Sequence, residues 1–225
     1  MATSVIATHG LTVYYGRHRG IIDLDLSVEA GEIFGFLGPN GAGKTTTLRV
    51  LLDIIRPTRG RATVWGLDCQ REGVAIRQRV GYLPGELSLY PTMTGRQFLD
   101  MMGSARGQRG RNGYRDELCQ RLDLDLGRRI SEYSRGNKQK LGLVAALMNK
   151  PDLLVLDEPT TGLDPLVQQT VLDLVREARA EGRTVFFSSH ILPEVEAVCD
   201  RVAIIREGRL AAVERVDNLT AKRFH

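Results

Sequence analysis

The sequence is poor in the residues that would staple it together or carry it through a membrane. It has three cysteines in 225 residues, Cys69, Cys119 and Cys199. None stands in CxxC spacing, and an odd number cannot complete an internal disulfide set. Reduced, structural thiols in a cytosolic setting are the expectation. No apolar run approaches the roughly 18 residues that a membrane-spanning helix needs. The first residues, Met1 to Gly10, lack the basic start and apolar core of a secretory leader. Any work at a membrane therefore requires a partner chain. No internal repeat and no low-complexity linker is found.

Charge says little either. The net formal charge is +4, a mild basicity that many inert surfaces share. The densest basic stretch, Arg106 to Arg115, is broken by glycines and lacks the aromatic interleaving of a nucleic-acid platform. It predicts a solvated loop and no nucleic-acid partner. What remains is an ordinary globular composition, 42% hydrophobic and 26% charged, too apolar for disorder. The length suits one large domain or two small lobes.

Periodicity divides the chain. Val5 to Val13 and Leu24 to Val28 alternate apolar and polar residues around a turn at Gly16–Gly20, the pattern of a half-buried antiparallel sheet. Ile33 to Leu37 is a short apolar run, followed by a glycine-rich loop and then a helix from Thr45. Leu153–Leu156 and Thr184–Ser188 are continuous apolar runs, as in parallel strands buried on both faces. Between them Asp164 caps a helix with Pro165 at its first position, and Val167, Val171, Leu174 and Ala178 recur at helical spacing. Strand, crossover helix and strand make an α/β core. The middle is helical instead: a capping box at Thr94–Gln97, a helix over Arg115–Leu122 and another over Asn137–Met148. Val202–Ile205 and Leu210–Val213 flank Glu207-Gly208 as a hairpin, and the polar tail beyond reads as helical or frayed.

Gly38-Pro39-Asn40-Gly41-Ala42-Gly43-Lys44-Thr45 fits the phosphate-binding pattern GxxxxGK[ST], between a strand and a helix as the mechanism requires. Gly41 and Gly43 let backbone N–H groups wrap an anion at the helix start. Lys44 would reach the β and γ phosphates, and the Thr45 hydroxyl a Mg²⁺ ion. Thr46 completes the nucleotide-binding set. Asp157 and Glu158 end a buried strand, where open α/β sheets bind ligands. Asp157 would hold the metal shell, and Glu158 would orient or deprotonate the attacking water. His190 ends the next strand, which sheet adjacency could bring to the γ-phosphate; a lone histidine is more often structural.

Together these residues resemble the ATP-binding subunit of ABC transporters, from about Ile6 to Glu214. Tyr133-Ser-Arg-Gly-Asn-Lys-Gln-Lys140 stands where the family has its LSGGQ signature, ahead of a helix and upstream of Asp157. Glu158 to Asp164 matches the D-loop segment, His190 the switch histidine and Tyr15 the aromatic that stacks on adenine. The resemblance implies a P-loop NTPase core with an N-terminal antiparallel β lobe and an inserted helical subdomain. The implied domain is single, with core and lobe in 1–85 and 150–225 and helices in 86–149. It further implies catalytic roles for Lys44, Glu158 and His190, and ATP and Mg²⁺ as cofactors. It implies a head-to-tail homodimer or pseudo-dimer, in which Ser134, Gly136 and Asp164 complete the partner's ATP site.

The sequence departs from the family in two places. Arg135 replaces the first signature glycine and Asn137 the glutamine, while Ser134 and Gly136 remain. This variant is similar to the ABC-2 or drug-resistance exporter branch. At Gly85 the family has a Mg²⁺-contacting glutamine; either Glu86 or a water fills the place, or hydrolysis is weak. The expected function is ATP hydrolysis that energises a separate permease, most naturally an exporter, from the cytoplasmic face of the membrane. A soluble ATPase acting on ribosomes or DNA is the competing expectation.

Overall fold

The computed structural model describes residues 4–107 and 113–222. Two long antiparallel strands open it, β1 (Ser4–Tyr15) and β2 (His18–Glu29), followed by the short strand β3 (Ile33–Leu37) and helix α1 (Lys44–Leu51). Next come β4 (Arg59–Val64), β5 (Leu67–Asp68), α2 (Gly73–Arg79) and β6 (Val80–Leu83). Three helices follow, α3 (Gly95–Ala105), α4 (Gly113–Arg121) and α5 (Arg135–Leu147). The chain then returns through β7 (Leu153–Asp157), α6 (Pro165–Ala180), β8 (Thr184–Ser189) and α7 (Leu192–Val198). It closes with β9 (Arg201–Arg206), β10 (Arg209–Arg215) and α8 (Val216–Lys222).

The strands form two sheets. One is antiparallel, in the order β2-β1-β4-β5; the other runs β10-β9-β3-β8-β7-β6. In the second, β6, β7, β8, β3 and β9 are parallel neighbours and only β10 is antiparallel. The apolar run of β7 shows why it lies inside: Leu153 and Val155 face one hydrophobic cluster while Leu154 and Leu156 face the other. A strand with period two must be apolar throughout when both its faces are covered. One cluster joins the sheet to α1 and the β lobe through Phe34, Phe36, Leu48 and Phe186. The other reaches from Leu154 and Val185 through α5 and α6 to Phe98 and Leu118. The helical segment thus shares a core with the sheet and has no separate one.

Helix starts follow the local chemistry. Thr94 and Gln97 form the capping box of α3, and the Asp164 carboxylate accepts from Leu166 N and Val167 N at the start of α6, ahead of Pro165. Sequence periodicity did not anticipate β4, β5, α2 or α7; all are short and only partly buried on their own. The reading of Arg106–Arg115 as a solvated loop needs correction at its ends. Residues 108–112 of that stretch lie outside the described residues. Arg106, however, donates to the Val80 carbonyl, and Arg115 is buried against Asp100. Arg106 thus ties the end of α3 to the start of β6, and Arg115 pairs with α3. The tail forms α8, with residues 223–225 outside the description.

All three cysteines are free and buried. Burial pushes the Cys69 thiol up to about 12 and raises Cys119 and Cys199 as well. Since the thiolate is the nucleophile, the folded protein should take up no iodoacetamide at neutral pH. Intact mass should show three adducts only after denaturation, and rapid labelling of the native protein would contradict this burial.

Candidate functional site

The loop from Gly38 to Gly43 is shaped by its own backbone and by the β9–β10 hairpin. Ala42 N donates to Pro39 O at 3.1 Å, and Gly208 N from the hairpin turn donates to Ala42 O at 2.9 Å. Pro39 and Ala42 therefore set the loop's path. Gly43 sits at φ +110, and a Cβ there would lie 2.9 Å from the Gly20 carbonyl and 2.6 Å from Ile21 Cγ2. Only glycine fits this turn. No side chain caps α1, which starts at the next residue. Its first amides are thus open to an anion, and the helix dipole favours one there.

A cavity of about 290 Å³ opens over this helix start, lined by Asn40, Gly41, Gly43, Lys44, Thr45, Thr46 and Glu158 together with Tyr15, Arg19 and Gly20. The Tyr15 ring is 45% exposed, and its hydroxyl lies 3.3 Å from Thr46 Oγ1. A flat, half-exposed ring lining this cavity offers a face for a heterocycle. Arg19 and Gly20 are contributions that the sequence reading missed; they follow Tyr15 across the turn into β2.

Lys44 is 5% exposed and makes three polar contacts. Its ammonium donates to Gly38 O at 2.6 Å and Pro39 O at 3.1 Å, and lies 3.3 Å from Glu158 Oε1. His190 Nδ1 is 3.2 Å from the same carboxylate oxygen, and Thr161 Oγ1 donates to the other at 3.3 Å. Parallel pairing of β7 with β8 makes this meeting possible, because Asp157 and Ser188 are register partners. Glu158 holds φ +51, a left-handed backbone that costs a glutamate about 1–2 kcal/mol. That turn aims the carboxylate back toward the lysine.

Asp157 is buried, and both its oxygens are occupied: Thr45 Oγ1 donates to one at 2.7 Å and Ser188 Oγ to the other at 2.9 Å. Ser188 is a site residue that sequence reading left unassigned, though strand adjacency pointed to it. Thr45 and Asp157 present hard oxygen donors side by side, a set suited to Mg²⁺, which takes few protein ligands and completes its shell with phosphate and water. Among the described residues no group of three or more His, Cys, Asp or Glu could hold a metal alone.

Glu86 does not join this cluster. Its exposed side chain lines a separate cavity with Arg135, Lys138, Gln139 and Thr161. What reaches the metal-type pair from this loop is Gly85: a Cβ there would stand 3.1 Å from Asp157 Oδ2. The Glu86 side chain is grouped instead with residues at the start of α5.

Ser134, Gly136 and Asp164 do not line the nucleotide cavity either. Ser134 caps α5 by accepting from Asn137 N at 3.1 Å, which leaves its O–H free to donate outward. Gly136 packs against the D-loop, where its Cβ would be 3.3 Å from Gly162 O. A further buried residue was not read from the sequence. Glu194 on α7 accepts from Thr160 Oγ1 at 2.7 Å and Ser189 Oγ at 2.8 Å, tying the D-loop to the strand end before His190.

Comparison with known proteins agrees with this geometry. The family model described as ABC transporter matches residues 21–161. The daunorubicin resistance ATP-binding protein DrrA3 of Streptomyces coeruleorubidus is 41% identical over 99% of this chain and 72% of its own length. The bacitracin transport ATP-binding protein BcrA of Bacillus licheniformis is 37% identical over 96% of this chain and 72% of its own. An uncharacterized ABC transporter ATP-binding protein of Synechocystis is 41% identical over 83% of this chain, and there the match spans only 54% of the relative. Among solved structures, an ATP binding subunit of an ABC transporter superimposes with a TM-score of 0.87 at 28% identity, covering 98% of this chain and 93% of that one. A dimeric ATP-binding cassette in a post-hydrolysis state, bound to ADP and Pi, shares the fold at TM-score 0.85 and 20% identity, covering 94% of this chain and 98% of that one. Lys44, Glu158 and His190 converge beside a bare helix start, and the family model spans residues 21–161, the phosphate loop and Glu158 included: the chain belongs to the ABC transporter family.

Proposed function

We propose that this chain binds and hydrolyses ATP and thereby energises a separate membrane permease, most naturally an exporter. The observation that carries the reading is the shared contact of Lys44 and His190 with one oxygen of Glu158, where Lys44 and Glu158 line the cavity over the helix start. No helix among the described residues is long and apolar enough to cross a membrane. Relatives named for daunorubicin resistance and bacitracin transport favour export over action on ribosomes or DNA. The working position is the cytoplasmic face of the membrane.

The residues divide the chemistry. Triphosphate oxygens in the cavity offer Lys44 a denser negative charge than Glu158 does, so the ammonium turns to the β and γ phosphates. Glu158 Oε1 is then free to accept a proton from water, with His190 holding its orientation. Thr45 and Asp157 would hold Mg²⁺, which when bound neutralises phosphate charge. Two chains would pair head to tail, as a homodimer or pseudo-dimer, so that Ser134 and Gly136 of one face the γ-phosphate held by the other, with Asp164 beside them.

Purified protein should hydrolyse ATP in the presence of Mg²⁺. It should bind inside-out vesicles only when these contain its polytopic permease partner. A protein that takes up no ATP overturns the enzymatic reading, and vesicle binding that ignores the partner overturns the transport reading. The position of Glu86 gives a further expectation. Glu86→Ala should leave the Mg²⁺ concentration for half-maximal ATPase unchanged in the isolated protein. A several-fold rise in that concentration would return Glu86 to the metal shell.

A further inference from the structure

The loop that carries Glu158 is held from two directions, and only one belongs to the α/β core. From the core, Ser188 O accepts from Glu158 N at 3.0 Å, and within the loop itself Thr161 N donates to Glu158 O at 3.2 Å. From α5, the Gln139 side-chain amide donates to Glu158 O at 3.3 Å and to Pro159 O at 3.2 Å. Gln139 is 7% exposed and takes no part in lining the nucleotide cavity. Of its two polar ends only the NH₂ group can face two carbonyls, so chemistry fixes its orientation. Its partner is the residue at φ +51, a conformation that persists only where the surroundings over-determine it.

We propose that Gln139 is a positioning residue for Glu158: its amide fixes the left-handed backbone that aims the carboxylate, and makes that aim depend on the docking of α5. The proposal rests on reading Glu158 as the group that acts on the attacking water. α5 starts just after Ser134, so the Ser134 hydroxyl and the Gln139 amide are carried by one rigid helix, about 7.5 Å apart along its axis. The same helix abuts the D-loop through Gly136 and Gly162. A shift of α5 by about 1 Å would carry the Gln139 amide beyond hydrogen-bond reach and leave the Glu158 carbonyl to Thr161 N alone. The end of α5 that faces a partner's phosphate and the side chain that steadies its own chain's carboxylate therefore move together.

Two substitutions test this. Gln139→Met keeps the buried volume and removes both N–H donors. ATP affinity, read by fluorescent nucleotide titration, should stay within about twofold, and kcat should fall about 5- to 10-fold at unchanged KM. Gln139→Glu sets a carboxylate against two carbonyl oxygens, and only its protonated form regains a donor. Burial and the two facing carbonyls raise the pKa of such a group. The kcat of Gln139→Glu relative to wild type should therefore climb as pH falls from about 8 to about 5.5, while Gln139→Met runs parallel to wild type. A folded Gln139→Met enzyme with wild-type kcat overturns the proposal, as does a Gln139→Glu ratio that is flat with pH. If Gln139→Met does not fold, the Gln139→Glu ratio decides alone. Glu158→Gln measured alongside separates the two levels: wild-type turnover there topples the reading of Glu158 itself, whereas loss there with an unaffected Gln139→Met topples only the positioning role.

Discussion

Glu158→Gln should slow ATP hydrolysis by about 10²-fold or more while leaving ATP binding intact, the scale expected when a positioned general base is lost. Glutamine has the same length and shape, so its carbonyl can still face Lys44 and His190 and its amide can still reach Thr161. What it cannot do is accept a proton from water. The fold and the phosphate contacts of Lys44 are untouched, so titration with a fluorescent nucleotide should give a wild-type Kd.

A trapped nucleotide has a second consequence. If two chains close over ATP and hydrolysis reopens them, abolishing hydrolysis shifts the population toward the closed pair by the ligand's preference for that state. Size-exclusion chromatography with ATP and Mg²⁺ should then show Glu158→Gln as a dimer that the wild type does not hold. Monomers in both samples would count against the sandwich of two chains, and turnover within about tenfold of wild type would remove Glu158 from the water-activating role.

How much of this was legible depends on how local each feature is. The phosphate loop needs eight consecutive residues and a glycine-bearing turn, and all of that lies in one stretch from Gly38 to Thr45. The meeting of Glu158 with His190 required only that two apolar runs be parallel neighbours, and the pairing of β7 with β8 supplies that. Gly85 and Glu86 were harder. Alignment of the motif shows which residue stands where, but not which way the chain turns, and Gly85 packs on Asp157 while Glu86 faces α5. Gln139 and Glu194 were invisible for a related reason. Each is a polar residue buried by elements distant in sequence, and no periodicity marks a side chain whose partners are loop carbonyls or hydroxyls. The short elements β4, β5 and α2 carry too few apolar residues for a pattern, and the two strands owe their form to the sheet they join.

Lys44→Ala should abolish measurable ATP binding. Lys44 is 5% exposed and brings a positive charge to the nucleotide cavity it lines. Removing one partner of a buried, charge-assisted contact costs about 3–5 kcal/mol, or roughly 10²- to 10⁴-fold in affinity. Near wild-type affinity in a nucleotide titration would sink the assignment of the phosphate loop. Pairing this variant with another tests whether sites form between chains. Ser134→Arg sets a bulky cation where a small exposed hydroxyl caps α5, outside the lining of the nucleotide cavity. Each Ser134→Arg chain should therefore still bind ATP, yet its dimer should not close. In a mixed dimer, one composite site carries both lesions, while the other joins the intact phosphate loop of the Ser134→Arg chain to the intact Ser134 of the Lys44→Ala chain. Activity recovered on mixing two inactive proteins would follow only from sites built in trans. If mixed dimers form and recover nothing, either each site is complete within one chain or both must fire together. A tandem fusion carrying Ser134→Arg in one half alone decides between these, because half of the wild-type rate requires independent sites and none requires coupled ones.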